Sequence, residues 1–200
     1  MNGNDCIIIS RYPAPCGDLV LGSYGGRLCL CDWQTGRGSV SIRSRLRRLL
    51  NAGFVEGRSP VVDHAVVRLD EYFAGRRQAF DVPLLFAGTE FQKRVWNALL
   101  SIPYGGTVSY AEMARRIGMP KAVRAVANAN GANAVSIFAP CHRVIGSDHT
   151  LTGYGGGLSV KKYLLKLEQE TAGRFAATFV YDGSVNQIVL SRSPQLSPTT

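Results

Sequence analysis

The stretch that decides the fold is Ser109-Tyr-Ala-Glu-Met-Ala-Arg-Arg-Ile-Gly-Met-Pro-Lys-Ala-Val-Arg-Ala-Val-Ala-Asn-Ala-Asn-Gly131. Ser109-Tyr-Ala-Glu112 fits a capping box, in which the serine hydroxyl takes the backbone N–H three residues on and the glutamate reaches back. Met113, Ala114 and Ile117 then fall on one side of a short helix, with Gly118 placed to end it in the left-handed conformation. Pro120 sits where a first helical turn accepts proline. Lys121 to Ala129 is rich in alanine and valine, and Gly131 stops it. Two short helices about Gly118-Met119-Pro120 match a helix-turn-helix. A plain helical hairpin with its charges in water fits the same letters. Arg115, Arg116, Lys121 and Arg124 against Glu112 leave this stretch positive.

Working outward, Thr89-Glu-Phe-Gln92 is another capping box, followed by Phe91, Val95, Leu99 and Ile102 at helical spacing until Pro103. Val160 to Glu170 carries Leu164, Leu165 and Leu167 on one side. Toward the N-terminus, Leu19–Tyr24 and Arg27–Trp33 flank Gly25-Gly26 as a hairpin with a tight primed turn. Ile42 to Leu50 sets apolar residues at 42, 46, 49 and 50 among four arginines, which reads as a short basic helix or a mobile basic loop. Ala65 to Gly75 is a clearer helix, with Val66, Leu69, Tyr72 and Phe73 on one side. Residues 76–88, with Pro83 and Gly88, read as a connection. Past 170, Ala177–Tyr181 and Ser184–Leu190 about Asp182-Gly183 read as a β-hairpin, and 191–200 as a frayed end. The fold class is α+β: a small α/β lobe over 1–85, a mainly helical lobe with a helix-turn-helix over 86–170, and an extension over 171–200.

Composition narrows the function. The 200 residues are 46% hydrophobic and 18% charged, which excludes a mainly disordered chain. No apolar run is long enough to cross a bilayer, and the polar start lacks the pattern of a signal peptide. Five cysteines at 6, 16, 29, 31 and 141 form no C-x-x-C pair, so reduced thiols in an intracellular compartment are expected. The net charge of +9 leaves nucleic acid, an anionic membrane or an acidic protein open as partner.

The sharpest chemistry lies in Pro140-Cys-His-Arg-Val144. A cysteine beside a histidine and an arginine sits where thiolate, the reactive form, is favoured. Adjacency alone describes many inert core cysteines equally well. Asn133 precedes this cysteine, Glu168 follows it, and Gly153-Tyr-Gly-Gly-Gly157 lies between as a loop able to bring backbone amides close to a ligand.

Taken together, these pieces resemble the C-terminal domain of the O6-alkylguanine-DNA alkyltransferases, also called methylated-DNA–protein-cysteine methyltransferases. The matching words are Phe91-Gln-Lys-Arg-Val-Trp96, Ile102-Pro-Tyr-Gly-Gly-Thr-Val-Ser-Tyr110, Arg124-Ala-Val126, Asn133, Pro140-Cys-His-Arg-Val144, Gly153-Tyr154, Gly156-Gly-Leu158 and Leu164-Leu165 with Glu168. The resemblance implies direct-reversal repair, in which an alkyl group passes once and irreversibly from O6-alkylguanine to Cys141, with O4-alkylthymine as a further substrate left open. His142 would be the base, acting through a water and oriented by Glu168; Tyr110 would donate a proton near guanine N3, and Asn133 would hold the turn carrying the cysteine. Arg124 would enter the gap left by a flipped nucleotide in the minor groove of double-stranded DNA, with Tyr110, Ala125, Lys121 and Arg143 also at the DNA. Val144, Tyr154, Gly155 and Gly156 would line the alkyl and guanine pocket. Gly155 replaces the family's frequent serine, and Asn133-Ala134 its frequent Asn-Pro, so a hydroxyl contact is lost and one pocket wall is less rigid. The resemblance extends to a ribonuclease-H-like N-terminal lobe only in general character. It implies no cofactor, no required metal, no membrane contact, a monomer, and a cytoplasmic location (nuclear in a eukaryotic source).

Two rivals use the same residues differently. A sensor or regulator would use the helix-turn-helix to bind alkylated DNA without chemistry. A thiol hydrolase would use Cys141, His142 and Glu168 over many turnovers.

Overall fold

The computed structural model describes residues 6–36 and 38–172; the hairpin expected at 177–190 and the frayed end lie outside the described residues. Strands β1 (Cys6–Ala14), β2 (Gly17–Tyr24) and β3 (Arg27–Trp33) form an antiparallel meander. Strand β4 (Gly53–Glu56) joins β1 in parallel, giving the order β3-β2-β1-β4. The Gly25-Gly26 hairpin is present, with both glycines at the positive φ (55° and 71°) that a primed turn demands. β1 and β4 had no counterpart in the sequence reading, because Ile7-Ile8-Ile9 does not alternate and β4 is only four residues long.

Helix α1 (Ser39–Leu50) settles the choice between basic helix and basic loop in favour of helix. Ile42 and Leu46 bury against one face of the sheet with Ile7, Val20 and Leu30, while Leu49 stays exposed. Helix α2 (Pro60–Phe73) starts five residues before the expected Ala65. Pro60 takes the first turn, where its missing N–H costs nothing. Val61, Val62, Ala65, Leu69 and Tyr72 line its buried side.

The connection over 76–88 runs along β3, where Leu28 N–H donates to Pro83 O (2.8 Å) and Leu85 N–H to Leu28 O (2.8 Å). Helix α3 (Glu90–Leu99) then begins with both bonds of its capping box, Gln92 N–H to Thr89 Oγ1 and Thr89 N–H to Gln92 Oε1. A two-residue strand β5 (Val108–Ser109) leads into α4 (Tyr110–Arg116) and α5 (Val123–Gly131). Only half of the second capping box forms. Ser109 Oγ accepts from Glu112 N–H, but the Glu112 carboxylate turns to Arg115 and Arg116. α5 begins at Val123 rather than Lys121, because Ala122 N–H closes a turn onto Met119 O after Gly118 at φ 72°. A one-turn 3-10 helix (Cys141–Arg143), strand β6 (Val144–Ile145) paired parallel with β5, and helix α6 (Leu158–Ala172) complete the described chain.

One core runs through both halves. Leu19, Leu21, Leu28 and Cys31 of the sheet and Leu69 of α2 bury together with Val95, Trp96 and Leu99 of α3, Met113, Val126 and Phe138. The halves are also joined by backbone: Cys31 N–H donates to Ala134 O (2.7 Å) and Ser136 N–H to Cys31 O (2.8 Å). That bridge fixes the segment leading to Cys141 directly against β3.

Candidate active site

The site is built on the segment between α5 and β6. Asn133 organises it from within: its Nδ2 donates to Ala139 O (2.8 Å) and its Oδ1 accepts from Val135 N–H (3.1 Å). Between them, Ile137 sits at φ 72°, a left-handed conformation that disfavours a β-branched side chain and persists only where packing over-determines it. The chain thus reverses tightly and delivers Cys141 to the start of the 3-10 turn. From the last turn of α5, Asn130 Nδ2 donates to Cys141 O (3.3 Å), tying that helix to the cysteine backbone.

His142 and Glu168 come together, with Cys141 the residue before His142 on the 3-10 turn. His142 and Glu168 are fully buried, and His142 Nε2 lies 2.8 Å from Glu168 Oε1. Burial lowers the His142 pKa against the opposing pull of Glu168, and Arg143 and Lys161 lower it further. The imidazole is therefore neutral at pH 7. The hydrogen-bond network assigns the proton to Nε2, facing Glu168, and leaves a lone pair on Nδ1, which has no protein partner among the described residues. Burial alone would raise the Glu168 carboxyl, but donors from His142 and Arg143 outweigh it and hold it at about 2. Burial pushes the Cys141 thiol up, while the Asn133 side chain, the Lys161 charge and the Ser136 side chain pull it back.

Arg143 departs from expectation. It is buried rather than presented to DNA: Nε and Nη2 donate to Glu168 (2.8 and 3.0 Å) and Nη1 donates to Ile102 O (2.6 Å). In the 3-10 turn, consecutive side chains diverge, so the guanidinium beside Cys141 in sequence is spent on Glu168 in space. The cation that acts on Cys141 is Lys161 instead, which the sequence reading did not single out. It is buried, donates to Val144 O (2.6 Å) and Thr152 O (2.7 Å), and lies 5.9 Å from the Tyr110 ring centre. Burial brings its pKa down to about 8, and Cys141 opposes that shift. The signal was its position seven residues before Glu168, two turns away on the same face of α6.

The remaining residues divide by exposure. Tyr110 is half-buried at the start of α4, with its hydroxyl 3.5 Å from Thr152 O, and burial raises its pKa. Lys121, Arg124 and Ala125 are exposed in the turn before α5 and on its first turn. Val144 is buried in β6. Tyr154 is buried, its ring 6.5 Å from that of His142, and its hydroxyl accepts from Trp33 Nε1 (3.3 Å). Gly155 and Gly156 are half-buried beside it, and a Cβ at Gly156 would come within 2.8 Å of the Trp33 ring. Trp33, in β3, is thus the backing of the glycine loop, a contact across 121 residues that no local pattern announces. Among the described residues no three His, Cys, Asp or Glu side chains cluster as a metal site, and no helix is long and apolar enough to cross a membrane.

The sheet, the helix pair and the buried His142–Glu168 pair following Cys141 define an α+β protein with a cysteine-bearing buried site, and comparison with known proteins gives it a family. The profile described as "6-O-methylguanine DNA methyltransferase, DNA binding domain" matches residues 90–170. The methylated-DNA–protein-cysteine methyltransferase of Mycobacterium tuberculosis is 57% identical over 108 residues, 54% of this chain and 66% of the relative. That of Methanosarcina acetivorans is 58% identical over 101 residues, 50% of this chain and 65% of the relative, so these matches span just under two thirds of the relatives' length. The crystal structure of M. tuberculosis OGT in complex with DNA aligns with TM-score 0.71 and 42% identity over 82% of this chain and 94% of that one. The chain belongs to the methylated-DNA–protein-cysteine methyltransferase family.

Proposed function

We propose that this protein repairs DNA by direct reversal, moving the alkyl group of O6-alkylguanine onto Cys141 once per molecule. The observation that carries this reading is the buried His142–Glu168 pair at 2.8 Å on the turn that presents Cys141. The Cys141 thiol gives its proton, through a water, to His142 Nδ1, and the sulfur attacks the O6-alkyl carbon from the side opposite oxygen. The C–O bond breaks and its electrons go to guanine, which takes a proton at N3 from the Tyr110 phenol. The Tyr110 phenolate and the His142 imidazolium then return to neutral by net proton transfer between them. The products are a Cys141 thioether and unmodified guanine. A thioether has no easy reverse path, so there is no turnover.

The O6 atom of a stacked guanine is out of reach of a buried sulfur, so the nucleotide must be extruded. Arg124 takes the gap in the stack, and Lys121 and Ala125 meet the minor groove, whose poor base code suits a protein that inspects every sequence. Exposure of all three on one stretch supports that assignment. Val144, Tyr154, Gly155 and Gly156 receive the base and its alkyl group. The protein acts as a monomer on double-stranded DNA, and five unpaired cysteines fit the reducing cytoplasm.

The test is incubation with excess duplex carrying O6-methylguanine, followed by peptide mapping. One methyl group per protein, on the peptide containing Cys141, is the expected result. An unmodified peptide would overturn the repair reading in favour of a non-catalytic sensor, and more than one repaired base per protein would favour a turnover enzyme.

A further inference from the structure

Glu168 is held by more donors than the transfer chemistry requires. Oε1 accepts from His142 Nε2 (2.8 Å), Arg143 Nη2 (3.0 Å) and the Tyr72 hydroxyl (2.8 Å). Oε2 accepts from Arg143 Nε (2.8 Å) and Gly105 N–H (3.1 Å). A carboxylate offers about four lone-pair sites, so five donors saturate it. Four of the five come from the half of the chain that carries Cys141. The fifth, Tyr72, comes from α2 in the other half, 96 residues away, and is fully buried among Phe73, Phe80 and Tyr104.

We propose that Tyr72 is a positioning residue for the His142–Glu168 pair, through which the sheet half of the molecule sets how strongly Glu168 holds a proton on the imidazole. The proposal deepens the repair reading and rests on it for the part measured as activity. The hydroxyl donates to the same oxygen that faces His142 Nε2, so it competes with the imidazole for that oxygen's electron density. Tyr72 is a neutral donor throughout, since burial and the neighbouring carboxylate push its own ionisation well above the ordinary tyrosine value. A carboxylate relieved of this donor is more basic and stabilises an imidazolium better. The other groups facing the pair are Arg143 on the 3-10 turn, Lys161 on α6, Tyr104 ahead of β5, and Tyr154 on the glycine loop. None of them is displaced by removing one hydroxyl.

Tyr72→Phe keeps the ring and removes only the donor. Its methyl-transfer rate from O6-methylguanine duplex, followed against pH, should lose activity on the acid side at a pH higher than wild type by about half a unit or more. At the top of the profile the rate should remain within about fivefold, because Arg143 and Gly105 still orient the carboxylate. Tyr12→Phe is the control. It removes a tyrosine–carboxylate bond of the same length in the same half, Tyr12 to Asp70 at 2.8 Å, and should leave the profile where it was. A Tyr72→Phe profile that superimposes on wild type, or falls uniformly at all pH values, would overturn the proposal and leave Tyr72 as packing alone. Nitrogen NMR of the His142 ring in the unreacted proteins reads the same shift without chemistry. Absence of transfer by wild type would sink the repair reading, whereas an unmoved ring titration in Tyr72→Phe would sink this one.

Discussion

In the helical half, the residues around the sulfur are gathered in short words: Pro140-Cys-His-Arg-Val144, Asn133 eight positions earlier, Gly153-Tyr-Gly-Gly-Gly157 just after. In the sheet half, the residues that reach the same place are single letters far apart. Trp33 backs the glycine loop, Tyr72 bonds Glu168, and Arg45 donates to Ala87 O (3.1 Å) and Ala132 O (2.7 Å) while lying over the Trp96 ring. Each sits at an ordinary core or helix position of its own element. The contrast separates two tasks. On the proposed function, the helical half supplies reacting and DNA-facing groups, which depend on fixed local spacing. The sheet half supplies support, which depends only on where a strand or helix ends up.

Four measurements would break or sharpen that division. Trp33→Ala should be the most damaging change in the sheet half, costing about 3–5 kcal/mol through the cavity it leaves, read by denaturant unfolding. It should also slow methyl transfer, because Tyr154 and Gly156 lose their backing; a destabilised protein with an unchanged rate would uncouple the sheet half from the site. Asn133→Ala strands Val135 N–H in the interior and leaves Ala139 O with the Cys141 N–H bond alone, a cost of about 1–3 kcal/mol in unfolding and a larger proportional loss in transfer rate than in stability.

Acid should weaken the fold through the buried pair. The folded Glu168 carboxyl lies at about 2, below its ordinary 4.5, so its contribution is present above 4.5 and is lost as pH falls from there toward 2. His142 adds to this from higher pH, since the unfolded imidazole takes a proton near 6.5 that the buried one refuses. Urea midpoints at pH 7, 5 and 3 should therefore fall at each step, and a flat series would contradict the burial of the pair. The smallest effect on the fold is expected from Arg124→Ala. This exposed change should leave stability within about 0.5 kcal/mol and weaken binding to alkylated duplex by about 1–2 kcal/mol, read by titration at fixed salt. A large loss of stability instead would make Arg124 part of the scaffold.

Where the sequence was readable, the reason was local hydrogen bonding. Thr89 and Gln92 specify the start of α3 within four residues, and Gly25-Gly26 specifies the first hairpin because both positions need positive φ. The start of α2 was not readable in the same way. Its N-cap Ser59 makes no cap bond, and its hydroxyl accepts instead from Ser23 (2.8 Å), a partner 36 residues away. His142 and Glu168 were legible as a pair and do meet. The direction of Arg143 was not, because adjacency along a 3-10 turn says nothing of where a guanidinium points. Trp33 and Tyr72 share one cause of invisibility: each acts through a contact made only after the two halves have met. Lys161 acts within its own half, through Val144 O and Thr152 O, and a lysine on a helix face reads in sequence as a solvated charge.

The bridge between Cys31 and Val135 has a practical consequence. It means the stretch bearing Cys141 is not a portable module. Cutting the chain near residue 86 would strip Val135, Phe138 and Tyr154 of a wall and leave an adhesive apolar face around Cys141. A shortened protein would have to keep the four-stranded sheet that supplies this wall.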